Sequence, residues 1–215
     1  GRSYLALSKP AEAFPTFLLA DSLYQAHKIK DRPLKHSIDY YSVYAKVQFT
    51  KKLHFNETVA VYEKYKNEPR DAYVFALSEE YLARVYIDSA KYDKAIPKLQ
   101  SAIAYFERES YNLSASIAYS VLGVAYDGKE DIDRSLQAYQ HSIAIGEKLK
   151  EPNFSVLASN SYNIGLMYQD RLGNAAKAIK YLEKAVAYDQ KSAAQQENQQ
   201  PRKTRCLRIR GIQQG

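Results

Sequence analysis

Cysteine is almost absent from this chain, and its scarcity excludes two classes of small protein. The single cysteine, Cys206, lies near the C-terminus, so the chain can form neither an internal disulfide framework nor a cysteine-based zinc site. Compartments that keep thiols reduced rarely hold disulfide proteins, and we therefore expect a cytoplasmic location. With only 8 glycines and 7 prolines among 215 residues, and 46% hydrophobic residues, the composition is that of a folded body.

Long apolar runs are also missing. No stretch approaches the roughly 18 residues that a membrane-spanning helix needs, so the sequence predicts a soluble protein with no membrane partner. No charged segment followed by an apolar one opens the chain, and so no secretory signal is recognised.

Net positive charge is small in the main part of the chain, although the whole chain carries a net charge of +7. Residues 191–215 carry five of these charges, and residues 1–190 are close to neutral. This Gln-rich and basic tail lacks a helical apolar stripe, and we predict that it has no fixed fold. Basic residues attract phosphates, so residues 201–210 could bind nucleic acid. Without an aromatic side chain to stack on bases, a solvated or vestigial tail is the favoured interpretation.

Catalytic patterns are missing as well. The four histidines, at positions 27, 36, 54 and 141, fall in different helices or turns without the spacing of metal ligands. The sequence contains neither a glycine-rich phosphate loop nor a Gly-x-Ser-x-Gly elbow. We therefore expect no metal, no cofactor and no catalytic residue.

What the chain does contain is a repeated arrangement. The segments L-A-R-V-Y (82–86), L-G-V-A-Y (122–126) and I-G-L-M-Y (164–168) each precede a run of small-x-x-x-large-x-x-small residues, at 95–103, 135–143 and 178–186. This order is the signature of the tetratricopeptide repeat, in which two antiparallel helices meet through small residues. The repeats follow at intervals of 40 and 42 positions, against about 34 in the common form, so each helix should be nearly a turn longer.

A further copy of the second half of this repeat lies nearer the N-terminus. A-F-P-T-F-L-L-A (13–20) matches A-I-P-K-L-Q-S-A (95–102) at both alanines and at the proline, and a degenerate unit separates the two. The sequence therefore predicts an all-α, right-handed solenoid of helical hairpins, with half a repeat and four whole repeats in residues 1–190. Because the chain begins at Gly1 and at the second helix of a unit, we expect it to be part of a longer protein.

The limits of the helices follow from apolar spacing and from caps. We predict that the first helix ends near residue 30, that a helix with Pro97 in its first turn begins at residue 93, and that the others cover about 34–53, 56–68, 71–90, 114–129, 133–150, 154–171 and 175–194. Asn56, Asp71 and Asp93 are the predicted helix starts. Gly173 is predicted to be a left-handed C-cap and Asn174 an N-cap, which would explain the one extra residue in that crossover.

The first helix of each unit should line the concave side of such a solenoid. If Leu82, Leu122 and Ile164 point into the core, positions two before, one before and two after them face the groove. We predict a peptide-binding groove that includes Glu80, Arg84, Asp127, Tyr162, Asn163 and Gln169, together with Tyr81, Asp88, Ser120, Val124 and Leu166. Amide and charged groups suit an extended peptide backbone. For Glu80 and Arg84, four positions apart on one helix, a simple surface ion pair is an equally good interpretation.

The repeat spacing, with Y-N-L-S-A-S-I-A-Y-S-V-L-G-V-A-Y-D (111–127) and S-Y-N-I-G-L-M-Y (161–168), resembles the Rap family of bacterial response-regulator phosphatases and peptide-pheromone receptors. The likeness covers residues 35–190. It implies an intracellular receptor in which a short signalling peptide binds the groove and changes how the receptor binds a response regulator or DNA. Asn163 matches an asparagine position that clamps the peptide backbone in that family, with Asp127 as a neighbour. The helical bundle that precedes the repeats in the family is not recognised here.

A second hypothesis needs no signalling peptide. The same groove would serve a non-enzymatic scaffold that docks a larger protein, or the input segment of a longer regulator. This hypothesis predicts a stable complex with a folded partner and no response to short peptides.

Overall fold

A computed structural model describes residues 10–50, 55–67 and 71–212, and every regular element in them is helical. A π-helical turn, Met167–Arg171, follows the eighth of nine α-helices in this described part of the chain. The α-helices are α1 (Pro10–Ala26), α2 (Arg32–Thr50), α3 (Phe55–Tyr65), α4 (Ala72–Asp88), α5 (Tyr92–Arg108), α6 (Asn112–Gly128), α7 (Ile132–Gly146), α8 (Phe154–Leu166) and α9 (Ala175–Ile212). The predicted all-α class and its helical hairpins are confirmed.

The chain forms two compact units, Gly1–Tyr111 and Asn112–Gly215. In the first unit, α1 packs on α2 where Ala13 and Phe17 meet Ala45. A second cluster joins Tyr40 of α2 to Val74 and Tyr81 of α4. Each contact uses apolar residues that recur at helical spacing, so the sequence pattern accounts for which face of each helix is buried.

The second unit contains the hairpins α6–α7 and α8–α9. Its core joins Tyr139 and Ile143 of α7, Leu157, Ala158 and Ile164 of α8, Met167 of the π turn and Tyr188 of α9. Leu122 and Ile164, two of the residues that define the repeat in the sequence, are both buried here. The repeat positions chosen from the sequence are therefore the packing positions of the fold.

The caps of the helices are partly as predicted. Asp71 caps α4, accepting a hydrogen bond from the Val74 amide at 3.0 Å, and Asn174 caps α9, accepting one from the Lys177 amide at 3.0 Å. Gly173 has a φ of 60°, as expected of a left-handed C-cap.

Five other predicted helix starts are wrong by one or two residues. The helix α2 begins at Arg32 instead of residue 34, and α6 begins at Asn112 instead of residue 114. The helix α3 already begins at Phe55, so Asn56 lies inside it. Lys91 precedes α5, which places Asp93 in the first turn, and Asp131 rather than Asp133 caps α7. Ala90 and Glu130 have positive φ angles of 54° and 61°, so α4 and α6 end in tight turns and the next helix starts at once.

The last helix is longer than predicted. Apolar periodicity ends near residue 194, but α9 continues to Ile212, so residues 191–212 are helical rather than irregular. Alanine, glutamine and glutamate between residues 193 and 200 are good helix formers and need no apolar face to continue a helix. The division into a repeat domain, 1–190, and a tail, 191–215, stays a prediction.

A buried polar network connects α6, α7 and α8. The Asn160 side chain is completely buried, and its Nδ2 donates to the Ser142 hydroxyl at 2.7 Å. The Ser120 hydroxyl donates to Asn160 Oδ1 at 2.5 Å, and the Ser142 hydroxyl donates to the Ser116 carbonyl at 2.6 Å. A buried amide must be hydrogen-bonded to avoid a desolvation penalty, and Asn160 meets this condition through two neighbouring helices.

Replacing Asn160 with alanine should therefore lower the free energy of unfolding by about 1–2 kcal/mol, because the change removes two hydrogen bonds and leaves a small cavity. Urea denaturation measures this loss. Ser159→Ala is the matched control, since this neighbouring hydroxyl is exposed and donates to the Ser155 carbonyl within its own helix. Equal effects of the two substitutions would contradict a structural role for the network.

Candidate binding site

A hollow of about 150 Å³ opens in the second unit, beside the C-terminal ends of α6 and α8. Its lining combines carboxylate, amide, guanidinium and apolar groups. The lining residues are Asp127 of α6, Asn163 and Leu166 of α8, and Met167, Asp170 and Arg171 of the π turn. Three of the predicted groove residues, Asp127, Asn163 and Leu166, are thus brought to one place.

The π turn explains how Asp170 and Arg171 reach the hollow. Tyr86, Tyr126 and Tyr168 occupy the same position of successive repeats. The backbone carbonyls of Tyr86 and Tyr126 each accept a hydrogen bond from the amide five residues later, whereas the Tyr168 carbonyl accepts one from the Asn174 amide, six residues later. The one extra residue of the third hairpin is therefore accommodated in Met167–Arg171, and the Gly173–Asn174 crossover does not account for it as predicted. Such turns occur frequently at functional sites.

The charged groups of the hollow are only loosely paired. Arg171 Nη2 lies 3.5 Å from Asp127 Oδ1, and about two fifths of each side chain is exposed. Asp127 Oδ1 is shielded from water and accepts no hydrogen bond from the described residues. An ion pair at this separation and exposure is weak, so both groups keep hydrogen-bonding capacity for a ligand.

The side-chain amide of Asn163 is hydrogen-bonded to a buried tyrosine. Its Nδ2 donates to the Tyr139 hydroxyl at 3.1 Å, and Tyr139 is only 1% exposed. Burial raises the pKa of Tyr139, and the nearby Asp127 carboxylate raises it further, so the hydroxyl stays protonated at neutral pH. The buried ring therefore gives the Asn163 amide a fixed support.

The other predicted groove residues lie outside this hollow. Tyr162 is 51% exposed on α8, and Gln169 is exposed on the π turn; neither lines it. Tyr81, also predicted to face the groove, is buried in the core of the first unit, because it packs edge-on against Tyr44.

Glu80 and Arg84 belong to the first unit, on α4. Arg84 Nε donates to Glu80 Oε1 at 2.5 Å, in the ion pair that was the alternative interpretation. Only 10% of the Glu80 side chain and 42% of the Arg84 side chain are exposed, so this pair is not a simple surface pair. Their role in peptide binding stays a prediction.

Three lining residues, Met167, Asp170 and Arg171, all in the π turn, are absent from the sequence-based prediction. The spacing rule placed groove positions relative to Ile164 and assumed a regular α-helix, so it could not anticipate where the π turn points its side chains. The signal available in the sequence was the interval of 14 positions from Ile164 to Ala178, against 13 at the same place in both earlier hairpins.

Metal and membrane sites can be addressed for the described part of the chain. No three histidine, cysteine, aspartate or glutamate side chains lie close enough there to hold a metal ion. No helix in it combines the length and the apolar character needed to cross a bilayer.

Comparison with known proteins agrees with this geometry. Residues 73–148 and residues 158–192 match two family models, both described as tetratricopeptide repeat. Together they cover just over half of the chain. The chain therefore belongs to the tetratricopeptide-repeat proteins, as the hairpin pattern predicted. No curated protein matches the sequence.

Three solved structures share the fold. BtubC (BKLC) from P. vanneervenii matches with a TM-score of 0.67 and 22% identity, over 81% of this chain and 73% of that one. The MamA RS-1 ArsTM double mutant matches with 0.59 and 18%, over 90% and 92%. MamA 41-end from Desulfovibrio magneticus RS-1 matches with 0.58 and 19%, over 88% and 91%. At such identities the likeness shows the fold alone, and the resemblance to the Rap family stays a prediction.

Proposed function

We propose that this chain is a non-enzymatic interaction module and that its second unit binds an extended segment of a partner protein at the hollow of Asp127, Asn163 and Arg171. The observation that carries the proposal is the placing of an amide, a carboxylate and a guanidinium around one hollow on adjacent helices. An extended backbone presents alternating N–H donors and C=O acceptors, and these three groups offer both kinds of partner.

Each group has a distinct part in this binding. The Asp127 carboxylate, whose side chain is about two fifths exposed, accepts a backbone N–H. The Arg171 guanidinium donates to a backbone carbonyl or to an acidic side chain. The Asn163 amide, supported by Tyr139, aligns the segment between them. Because the amide is held before binding, less conformational entropy is lost when the segment docks.

The size of the hollow favours part of a longer segment over an enclosed small molecule. Pockets that enclose small ligands usually measure about 300–1,000 Å³, and this hollow measures about 150 Å³. A short signalling peptide, as the Rap resemblance implies, would meet the same groups. In this second candidate function, binding of the signalling peptide would change how this chain binds a response regulator.

The proposal predicts that peptides selected from a random displayed library on the wild-type chain bind at this hollow. Asn163→Ala and Asp127→Ala should each weaken the selected peptide at least tenfold, about 1.4 kcal/mol, because each removes a hydrogen bond to the backbone. Calorimetric titration measures the affinity. Gln140→Ala, an exposed change on α7 outside the hollow, is the control and should leave the affinity unchanged.

The form of the peptide separates the two candidates. A selected sequence that binds equally well inside a loop of a folded carrier protein supports a protein segment as ligand. A sequence that binds only with free termini supports a short signalling peptide. If neither Asn163→Ala nor Asp127→Ala changes the affinity of the selected peptides, and circular dichroism shows that both variants are folded, the proposed site is contradicted.

A further inference from the structure

A second surface of the same unit exposes large apolar side chains on α9. Ile179 and Val186 are each 58% exposed. With Leu182 they line an open trough of about 440 Å³, together with Glu183, Ala187 and Gln190. These positions recur every three or four residues, so they form one continuous stripe along the helix. The stripe, residues 179–190, shares no lining residue with the hollow.

The repeat itself shows what such a stripe normally meets. Helices α7 and α9 are the second helices of successive hairpins, and Leu136, Tyr139 and Ile143 occupy the positions of Ile179, Leu182 and Val186. On α7 the equivalent residues are packed in the core, with Leu157, Ala158 and Ile164 of α8. The stripe on α9 therefore has the register of an interface that this unit already builds once.

We propose that the α9 stripe binds an amphipathic helix of a partner protein, seated on α9 as α8 is seated on α7. The continuity of the α7–α8 interface argues for a helix, since its apolar register is repeated on α9. Because α9 continues unbroken to Ile212, the residues directly after the stripe extend along the same axis and do not fold back over it.

The charged residue of the trough lies beside the apolar register. Glu183 occupies the position of Gln140 on α7, which is exposed. The expected partner helix therefore packs its apolar residues on Ile179, Leu182 and Val186 and leaves Glu183 exposed at the rim of the interface.

A peptide copied from this chain tests the proposal without knowledge of the natural partner. Residues 153–168, acetylated, amidated and labelled with fluorescein, contain the apolar residues that cover the equivalent stripe on α7. Fluorescence anisotropy should detect binding to the full chain. Val186→Glu should weaken this binding at least tenfold, because it places a charge in the apolar interface. Val186 is mostly exposed, so the variant should keep the thermal midpoint of the wild type.

Lys177→Ala is the matched control on α9 and should leave peptide binding unchanged, since this side chain lies over the Tyr168 ring instead of in the stripe. A scrambled peptide should not bind. Absence of binding, or binding that Val186→Glu does not weaken, would overturn the proposal. Concentration-dependent dimerisation of the chain that Val186→Glu abolishes would overturn it too, because the occupant would then be a second copy.

Discussion

Lowering the pH from 7 to 4 should cost the wild-type chain about 3 kcal/mol of stability through His36, and a His36→Phe variant should be spared this loss. His36 is completely buried and stacks on Tyr65 with ring centroids 3.9 Å apart. Neither ring nitrogen has a hydrogen-bond partner among the described residues. The site therefore accepts a neutral ring and disfavours an imidazolium.

The direction of the pH effect follows from the pKa of His36. Burial lowers it from 6.5 to about 4, although Asp71 and Asp39 act to raise it and Lys64 to lower it. Since the folded pKa lies below the unfolded one, the unfolded chain takes up the proton first as the pH falls. The contribution is complete above pH 6.5, is lost between pH 6.5 and 4, and changes no further below pH 4.

Urea denaturation of both chains at several pH values between 8 and 4 measures this difference. Phenylalanine keeps an aromatic ring against Tyr65 and has no nitrogen to protonate. Asp39 contributes in a lower range, because burial raises its pKa but hydrogen bonds from Lys35, Lys64 and Tyr65 lower it below 3.8 overall. If wild type and His36→Phe lose the same stability between pH 6.5 and 4, His36 is not the group responsible.

Enlarging Gly123 should be the most damaging change in the α6–α7 hairpin. A Cβ atom at this position would lie 2.5 Å from two ring carbons of Tyr139, and the ring is too deeply buried to move aside. We expect Gly123→Val to lower the free energy of unfolding by about 3 kcal/mol or more. Gly123→Ala should cost about 2 kcal/mol, since better helix propensity offsets up to about 1 kcal/mol.

Gly165 provides the matched control in the next hairpin. Its Cβ would lie 2.8 Å from both Cδ2 and Cγ of Leu182. Because Leu182 is only half-buried and can shift outward more easily than the Tyr139 ring, Gly165→Ala should cost about 1 kcal/mol, less than Gly123→Ala.

A compensating change tests the same packing argument. The first unit carries Ala83 and Leu99 at the positions of Gly123 and Tyr139. The double variant Gly123→Ala with Tyr139→Leu should therefore be more stable than the sum of its two single effects, by about 1 kcal/mol or more. If the effects of the two substitutions simply add, the close approach of the Tyr139 ring is not the reason for glycine at position 123.

The helices and their pairing could be predicted from the sequence because each rests on short-range patterns. Apolar residues at helical spacing determine which face is buried. Small residues such as Ala83, Gly123 and Gly165 mark where two helices come closest. These features repeat three times, so a single ambiguous residue cannot change the result.

Features that depend on contacts between distant residues could not be predicted in the same way. Asn160 is as buried as its apolar neighbours, yet nothing in its local sequence indicates that Ser120 and Ser142 will satisfy its amide. The π turn is set by one inserted residue, whose placement depends on how α8 meets α9. For the candidate site, the sequence identified Asp127 and Asn163 but not Asp170 and Arg171, because only the turn brings these charges to the hollow.

The binding of a partner segment at the hollow is tested most directly by nuclear magnetic resonance of the isotope-labelled chain with a library-selected peptide. Binding at the hollow should produce the largest shifts at the Asn163 side-chain amide and at the backbone amides of Asp127 and Asp170. Largest shifts in the first unit, or along the α9 stripe of residues 179–190, with the Asn163 amide unchanged, would contradict it.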